Sequence, residues 1–213
     1  TPTYDVGLSG GFAAKFSADF LEAPAITLAT TGASLFIVVQ RSDVSGGGAV
    51  HNFSGDVNSQ SNHHPWGSNV TYTGFARQIR SNYATQFRND LLVHEAHVDK
   101  EARNLATYFY NGALLHSAST ATINVNPQNP NFIPGIGGHF RTDGVYNYAG
   151  NGDYKEVLLF SSPLSDEDIV KVREYLAIKH NVPLAPQVSN AEAQAWVNKV
   201  YQYGGTVTQQ TAN

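Results

Sequence analysis

The chain has 213 residues, of which 41% are hydrophobic and 11% aromatic, enough apolar side chain for one large all-β domain or two small domains. Charged residues are 14%, well below the usual ~25%, the formal net charge is −4 and no basic run appears, so nucleic acid is not an expected partner. Cysteine is absent, which excludes disulfides and thiolate metal sites, and no apolar run approaches the ~18 residues of a membrane-spanning helix.

The first strong element is Ser34 to Gln40, SLFIVVQ, a continuous apolar run that suits a strand buried on both faces in the middle of a sheet. Leu91 to Val98 is a second strand, turned by Asp99-Lys100-Glu101. Leu105 to Tyr110 is a third, and Ala113 to Ala118 returns as a fourth. Asn111-Gly112 between the last two is a two-residue hairpin turn, since both turn positions require positive φ. These three strands read as a meander. Ile123 to Pro134 holds three prolines and reads as a surface loop, and Ile136 to Phe140 and Tyr154 to Phe160 read as further strands.

The pattern then turns helical. Ser165 with an acid three residues on, at Asp168, is a capping box, and Asp166, Glu167 and Asp168 put negative charge at the positive end of the helix dipole. Ile169, Val172, Tyr175, Leu176 and Lys179 follow at helical spacing, with Ile169, Val172 and Leu176 as the buried stripe and a stop near His180-Asn181 before Pro183. Pro183 to Pro186 reads as a linker. A second capping box, Ser189 with Glu192, opens a helix carrying Trp196, Val200 and Tyr201, an apolar side expected to dock on a partner because so short a helix is marginal alone.

Four stretches carry a family resemblance. FSADFLEAPAITLATTGASLFIVVQRSD resembles the opening of concanavalin-A-like, laminin-G-like jelly rolls. NHHPWGSNVTYTGFARQIR resembles a loop-and-strand block of bacterial and phage members, and ATYFYNGALLHS the family's hairpin. GDYKEVLLFSSPLSDEDIVKVREYLAIKHNV, Gly152 to Val182, resembles its closing strand, capping box and helix. The likeness spans roughly residues 11 to 183. It implies an all-β fold: a two-sheet antiparallel jelly-roll sandwich with a C-terminal helix and a short helical extension. The expected division is residues 1–183 for the jelly roll and 184–213 for the linker and extension. The last segment, NAEAQAWVNKVYQYGGTVTQQTAN, resembles a piece found beside such domains in bacteriophage structural proteins.

That fold hosts both enzymes and binding modules, so chemistry has to be sought in residues. Jelly-roll glucanases resemble one another in an E-x-D-x-x-E strand motif. Here the matching stretch is Asn151-Gly152-Asp153-Tyr154-Lys155-Glu156, with Asn for the first acid. Asp153 and Glu156 are three apart, on opposite faces of a regular strand unless a bulge intervenes. Glu95, Asp99 and Glu101 read as a solvated turn. His94 and His97, three apart, fall on opposite faces and make no ligand pair. His63-His64-Pro65-Trp66 is the most unusual local sequence. One reading makes Trp66 a stacking platform for a sugar, with His63, His64 and Tyr72 beside it; the plainer one has the block ordering a loop. Asp143, Asn151 and Asp153, in a Gly-rich stretch, are candidate calcium ligands, alongside a reading as ordinary turn residues.

The resemblance and the residues together lead to a non-catalytic expectation. The chain reads as part of a longer protein, a structural or adhesive module of a phage virion that contacts host-surface glycans and other virion proteins or copies of itself. Nucleic acid and membrane are not expected partners, and calcium is the one candidate cofactor. The alternatives are a secreted or cell-surface bacterial lectin domain and, behind it, a glycoside hydrolase.

Overall fold

The computed structural model describes residues 3–6, 12–19, 21–22, 28–41, 49–52, 61–66, 70–74, 78–82, 91–119, 132–133, 135–137, 139–141, 146–147 and 150–185. Their elements are β1 (Thr3–Val6), β2 (Phe12–Asp19), β3 (Leu21–Glu22), β4 (Gly32–Arg41), β5 (Ala49–Asn52), β6 (Ser61–Trp66), β7 (Val70–Gly74), β8 (Gln78–Asn82), β9 (Leu91–Asp99), β10 (Leu105–Tyr110), β11 (Ala113–Ser119), β12 (Phe132–Ile133), β13 (Gly135–Ile136), β14 (His139–Arg141), β15 (Tyr146–Asn147), β16 (Gly150–Phe160) and α1 (Asp166–His180).

The fold is an all-β jelly-roll sandwich, with one helix among the described residues. A seven-stranded antiparallel sheet runs β1-β2-β16-β4-β9-β10-β11, and a six-stranded one runs β3-β13-β5-β6-β7-β8. A small sheet, β12-β14-β15, accompanies them. The meander expected over residues 91–118 is present as β9-β10-β11. Ile136 to Phe140, expected as one strand, divides instead between two sheets. Gly137 sits at φ 90° between β13 and β14, a conformation that ends the extended run.

The apolar run of β4 lies between β16 and β9. Its alternation supplies two cores at once. Leu35, Ile37 and Val39 pack with Ala96, Val98, Ala106, Tyr108 and Tyr154 on the face toward the second sheet, where Ile136 of β13 joins them. Phe36 and Val38 pack on the other face with Val93, Ile169, Leu176 and Val182, so α1 closes that side. The strand is therefore buried on both faces, as its sequence predicts. Gly32 opens it at φ 140°, and a Cβ there would stand 1.9 Å from the Val98 carbonyl oxygen, a space only glycine fits.

The helix ends match the sequence signals. Ser165 is the N-cap, its hydroxyl accepting from the Asp168 amide at 3.1 Å, and Asn181 closes the helix in the left-handed conformation at φ 53°. Ile169 and Leu176 are buried and Val172 is half-buried. Leu176, at 1% exposure, is the helix's main apolar anchor. Leu176→Ala is expected to lower unfolding stability by ~2–5 kcal/mol, read from the urea midpoint; a loss inside the ~0.5 kcal/mol range of surface substitutions would show that α1 does not belong to the core.

The Asn111-Gly112 turn has φ of 49° and 82°, as its sequence requires. Asn111 also stitches three segments together. Its amide donates to Val93 O at 2.9 Å, its Oδ1 accepts from Val93 N at 2.8 Å, and its carbonyl accepts from Ala185 N at 2.7 Å.

Candidate functional site

Three of the four proposed sugar-contact positions share one face of the six-stranded sheet. His63 of β6 is the direct cross-strand partner of Tyr72 of β7, and Trp66 is the partner of Val70. Directly opposed residues lie on the same face, as do Val70 and Tyr72, two apart on one strand. His63 and Trp66 are three apart, but an extra residue on β6 between them shifts the register, and this bulge returns Trp66 to the face of His63. His64 stands next to His63 inside the bulged stretch, outside this set of register partners.

Register also tells which face this is. Ile136 belongs to the core between the sheets and is paired with His51, which is paired with Asn62. His63, one residue on, therefore takes the opposite face, turned away from the seven-stranded sheet. Continuing across β8, Tyr72 is paired with Arg80 and Val70 with Asn82. Arg80 and Asn82 were not singled out from sequence. Each sits in a strand at two-residue spacing, and that spacing was the available signal.

A second polar cluster lies between α1 and the seven-stranded sheet. The sequence reads Glu95, Asp99 and Glu101 as a solvated turn; the structure corrects this for the first two. Glu95 is fully buried and Asp99 nearly so, and Glu101 alone is exposed. Arg173 of α1 donates from Nε to Glu95 Oε1 at 2.6 Å and from Nη2 to Oε2 at 2.7 Å, with Nε2 of His97 3.1 Å from the same Oε2. The guanidinium stands 4.8 Å from the Phe109 ring centre, and His97 meets the edge of Phe36 at 5.0 Å. Burial holds His97 below the ordinary imidazole range, against the raising effect of Glu95 and with Arg173 and Arg103 adding to the lowering. With exposures of 0% and 4%, the Glu95 and Arg173 side chains meet each other and not a ligand. This is a clamp on the helix.

Asp99 works differently. Its carboxylate accepts from the amides of Glu101 and Ala102 and from Arg103 Nε at 3.0 Å, and Arg103 reaches on to Asp166 and the Leu164 carbonyl. Burial pushes the Asp99 carboxyl up, but the Ala102 amide and the Arg103 guanidinium bring it net below its usual range. A recess of about 280 Å³ lies beside this pair, between Leu105, Thr107 and Phe109 of β10 and Ile169, Val170 and Arg173 of α1. The two arginines at its edge are each already bonded to carboxylates, which leaves its wall mainly apolar.

The glucanase-like acids are also placed. A bulge in β16 between Tyr154 and Glu156 sets Asp153 opposite Gln40 and Glu156 opposite Val38, two positions of one β4 face. The bulge thus puts both acids on the same side, the side that α1 covers. Glu156 is engaged there by His180 at 2.7 Å and Lys179 at 2.9 Å. Burial raises its pKa, but these bonds bring it net below the usual carboxylate value, the opposite of what a general acid needs. His94 and His97 fall on opposite faces as expected, His94 against Tyr110 with ring centres 4.7 Å apart.

Of the candidate calcium ligands, Asp153 is buried at 3% exposure, Asn151 lies on the backbone of β16, and Asp143 is outside the described residues. Among the described residues no three His, Cys, Asp or Glu side chains are grouped to hold a metal. Trp196, Val200 and Tyr201, with the second capping box, also lie outside the described residues.

No protein-family model and no curated protein sequence matches the chain. Solved structures do match. The CBM40 of the Ruminococcus gnavus IT-sialidase, bound to α2,6-sialyllactose, shares 13% identity at a TM-score of 0.51, covering 74% of this chain and 99% of its own. Domain 4 of AbnA, a GH43 extracellular arabinanase from Geobacillus stearothermophilus in complex with arabinotriose, shares 14% at 0.58, covering 81% of each chain. The NanB sialidase from Streptococcus pneumoniae shares 12% at 0.56, and the match takes in 26% of its length. At these identities the likeness establishes the β-sandwich fold.

Proposed function

We propose that this chain is a non-catalytic glycan-binding module whose platform is the outer face of the six-stranded sheet, centred on His63, Trp66 and Tyr72. The carrying observation is the register that brings these three positions together on a face turned away from the core. Around β4, the seven-stranded sheet is covered on one face by the second sheet and on the other by α1. The sialyllactose and arabinotriose complexes of two fold neighbours support a carbohydrate as the ligand. The engagement of Glu156 by His180 and Lys179 supports the absence of hydrolysis.

The test is a glycan array with the wild type and Trp66→Ala. Loss of an aromatic anchor is expected to weaken binding by on the order of 2 kcal/mol, roughly 30-fold. Unchanged binding would remove this face as the platform, and turnover of a bound polysaccharide that Glu156→Gln abolishes would make the protein an enzyme.

The biological setting of the module is a separate proposal. We place it on a phage particle, as an adhesive component, on the resemblance of residues 62–80 to a block of bacterial and phage members and of residues 190–213 to a piece of bacteriophage structural proteins. Detection of the chain in purified virions by mass spectrometry would support this, and its recovery from bacterial culture medium without phage would favour a secreted lectin.

A further inference from the structure

The register that joins the platform continues one strand further, to a fixed positive charge. Arg80 of β8 is the direct partner of Tyr72, which is the direct partner of His63. These three positions thus form a row across three adjacent strands on one face, with Trp66 and Asn82 in the next row beside Val70. Strands β5 to β8 together contain no aspartate and no glutamate. In a chain with net charge −4, this face brings an arginine into register with an aromatic position and a histidine, with a second aromatic position in the adjoining row, and β5 to β8 supply it with no acidic strand neighbour.

We infer that the platform selects sugars carrying a carboxylate, with Arg80 as the specificity-determining residue. The inference rests on the glycan-binding reading above and deepens it. An arginine guanidinium is the side chain suited to a carboxylate, because its planar fork can donate two parallel hydrogen bonds to the two oxygens. Aromatic side chains suit the apolar face of a pyranose. A row of both reads one ring and its acid together. The carboxylate could belong to a terminal sialic acid or to a uronic acid, and the row itself is common to the two.

The experiment is calorimetric titration of the full chain with lactose, 3′-sialyllactose, the methyl ester of 3′-sialyllactose, and a galacturonic acid trimer beside its methyl-esterified form. The acidic ligand of at least one pair is expected to bind roughly 10- to 100-fold more tightly than its uncharged counterpart. Which pair responds identifies the source of the acid. Arg80→Gln should remove that difference and leave weak binding to the uncharged ligand, while Arg80→Lys should recover part of it. The comparison of acid with ester uses the wild type alone and stands even where a variant fails to fold. Equal affinity for acid and ester in both pairs overturns the inference, and so does an acid preference that survives in folded Arg80→Gln. Binding to lactose that Trp66→Ala abolishes, without any acid preference, would leave the platform standing and remove only the charge reading. No binding to any of these ligands, nor to an array of neutral and acidic glycans, would remove both.

Discussion

Arg173→Ala is expected to destabilise the protein by ~3–5 kcal/mol, which is a large part of the 5–15 kcal/mol that holds a typical domain folded. The cause is what it leaves behind. Glu95 has no exposed surface, and both of its oxygens are bonded to the guanidinium, with His97 sharing one of them. Removing the cation strands a carboxylate in a site walled by Phe36, Phe109 and His97, where the ionised form has lost water and keeps only the His97 contact. The pair itself need not be strongly stabilising, since ion pairs in such places are often replaceable by well-packed apolar side chains. The double substitution Glu95→Leu with Arg173→Leu should therefore recover much of the loss, and urea unfolding of the two single variants and the double measures the coupling. An Arg173→Ala change below ~1 kcal/mol would contradict the buried clamp. For comparison, Lys171→Ala removes a cation that pairs with Glu167 at 61% and 79% side-chain exposure, and should leave the urea midpoint nearly unchanged.

Stability should also fall steeply on mild acidification. Burial, aided by the neighbouring His97, lowers the pKa of His94 from 6.5 to about 3, and burial lowers His97 as well. Both groups bind protons more weakly folded than unfolded. Their contribution is fully present above the unfolded pKa of ~6.5 and is lost as pH drops below it, because the unfolded chain then takes up protons that the folded one refuses. For His94 the slope is about 1.4 kcal/mol per pH unit, or about 2 kcal/mol between pH 6.5 and 5, with His97 adding in the same direction. Asp99 and Glu156, both held below their ordinary values, add a further loss below about pH 4.5. Urea midpoints at pH 7.5, 6 and 5 measure the slope. His94→Phe, which keeps an aromatic ring beside Tyr110, should flatten it, and a midpoint that is level from pH 7.5 to 5 in the wild type would refute the prediction.

The parts of the fold fixed by short-range chemistry were readable in the residues. The apolar run of β4, the Asn111-Gly112 turn and the Ser165 capping box each depend on neighbours within a few positions, and each is present as expected. Long-range pairing was not readable. Glu95 looked like a turn residue because its partner Arg173 is 78 positions away on another element. One signal could have raised the question: Arg173 stands four residues after Ile169 and three before Leu176, inside the buried stripe, where a charge needs a partner. The bulges in β6 and β16 were equally hidden, because an inserted residue reverses the face of everything beyond it without leaving a mark in composition. At β16 the reversal brings Asp153 and Glu156 to one side, and at β6 it brings Trp66 to the side of His63. The proposed sugar platform was therefore legible as a set of residue types but not as a surface.

Asn111 has a mechanical consequence. A tension applied to the chain beyond Ala185 first meets the hydrogen bond from Ala185 to the Asn111 carbonyl, and Asn111 is held by two further bonds to Val93. Part of the load then passes into β9, next to the central strand β4, in parallel with the covalent path through α1. A module that must hold a ligand while its tether is pulled would gain from such a route, since the strain enters the larger sheet and bypasses the sheet proposed to carry the sugar.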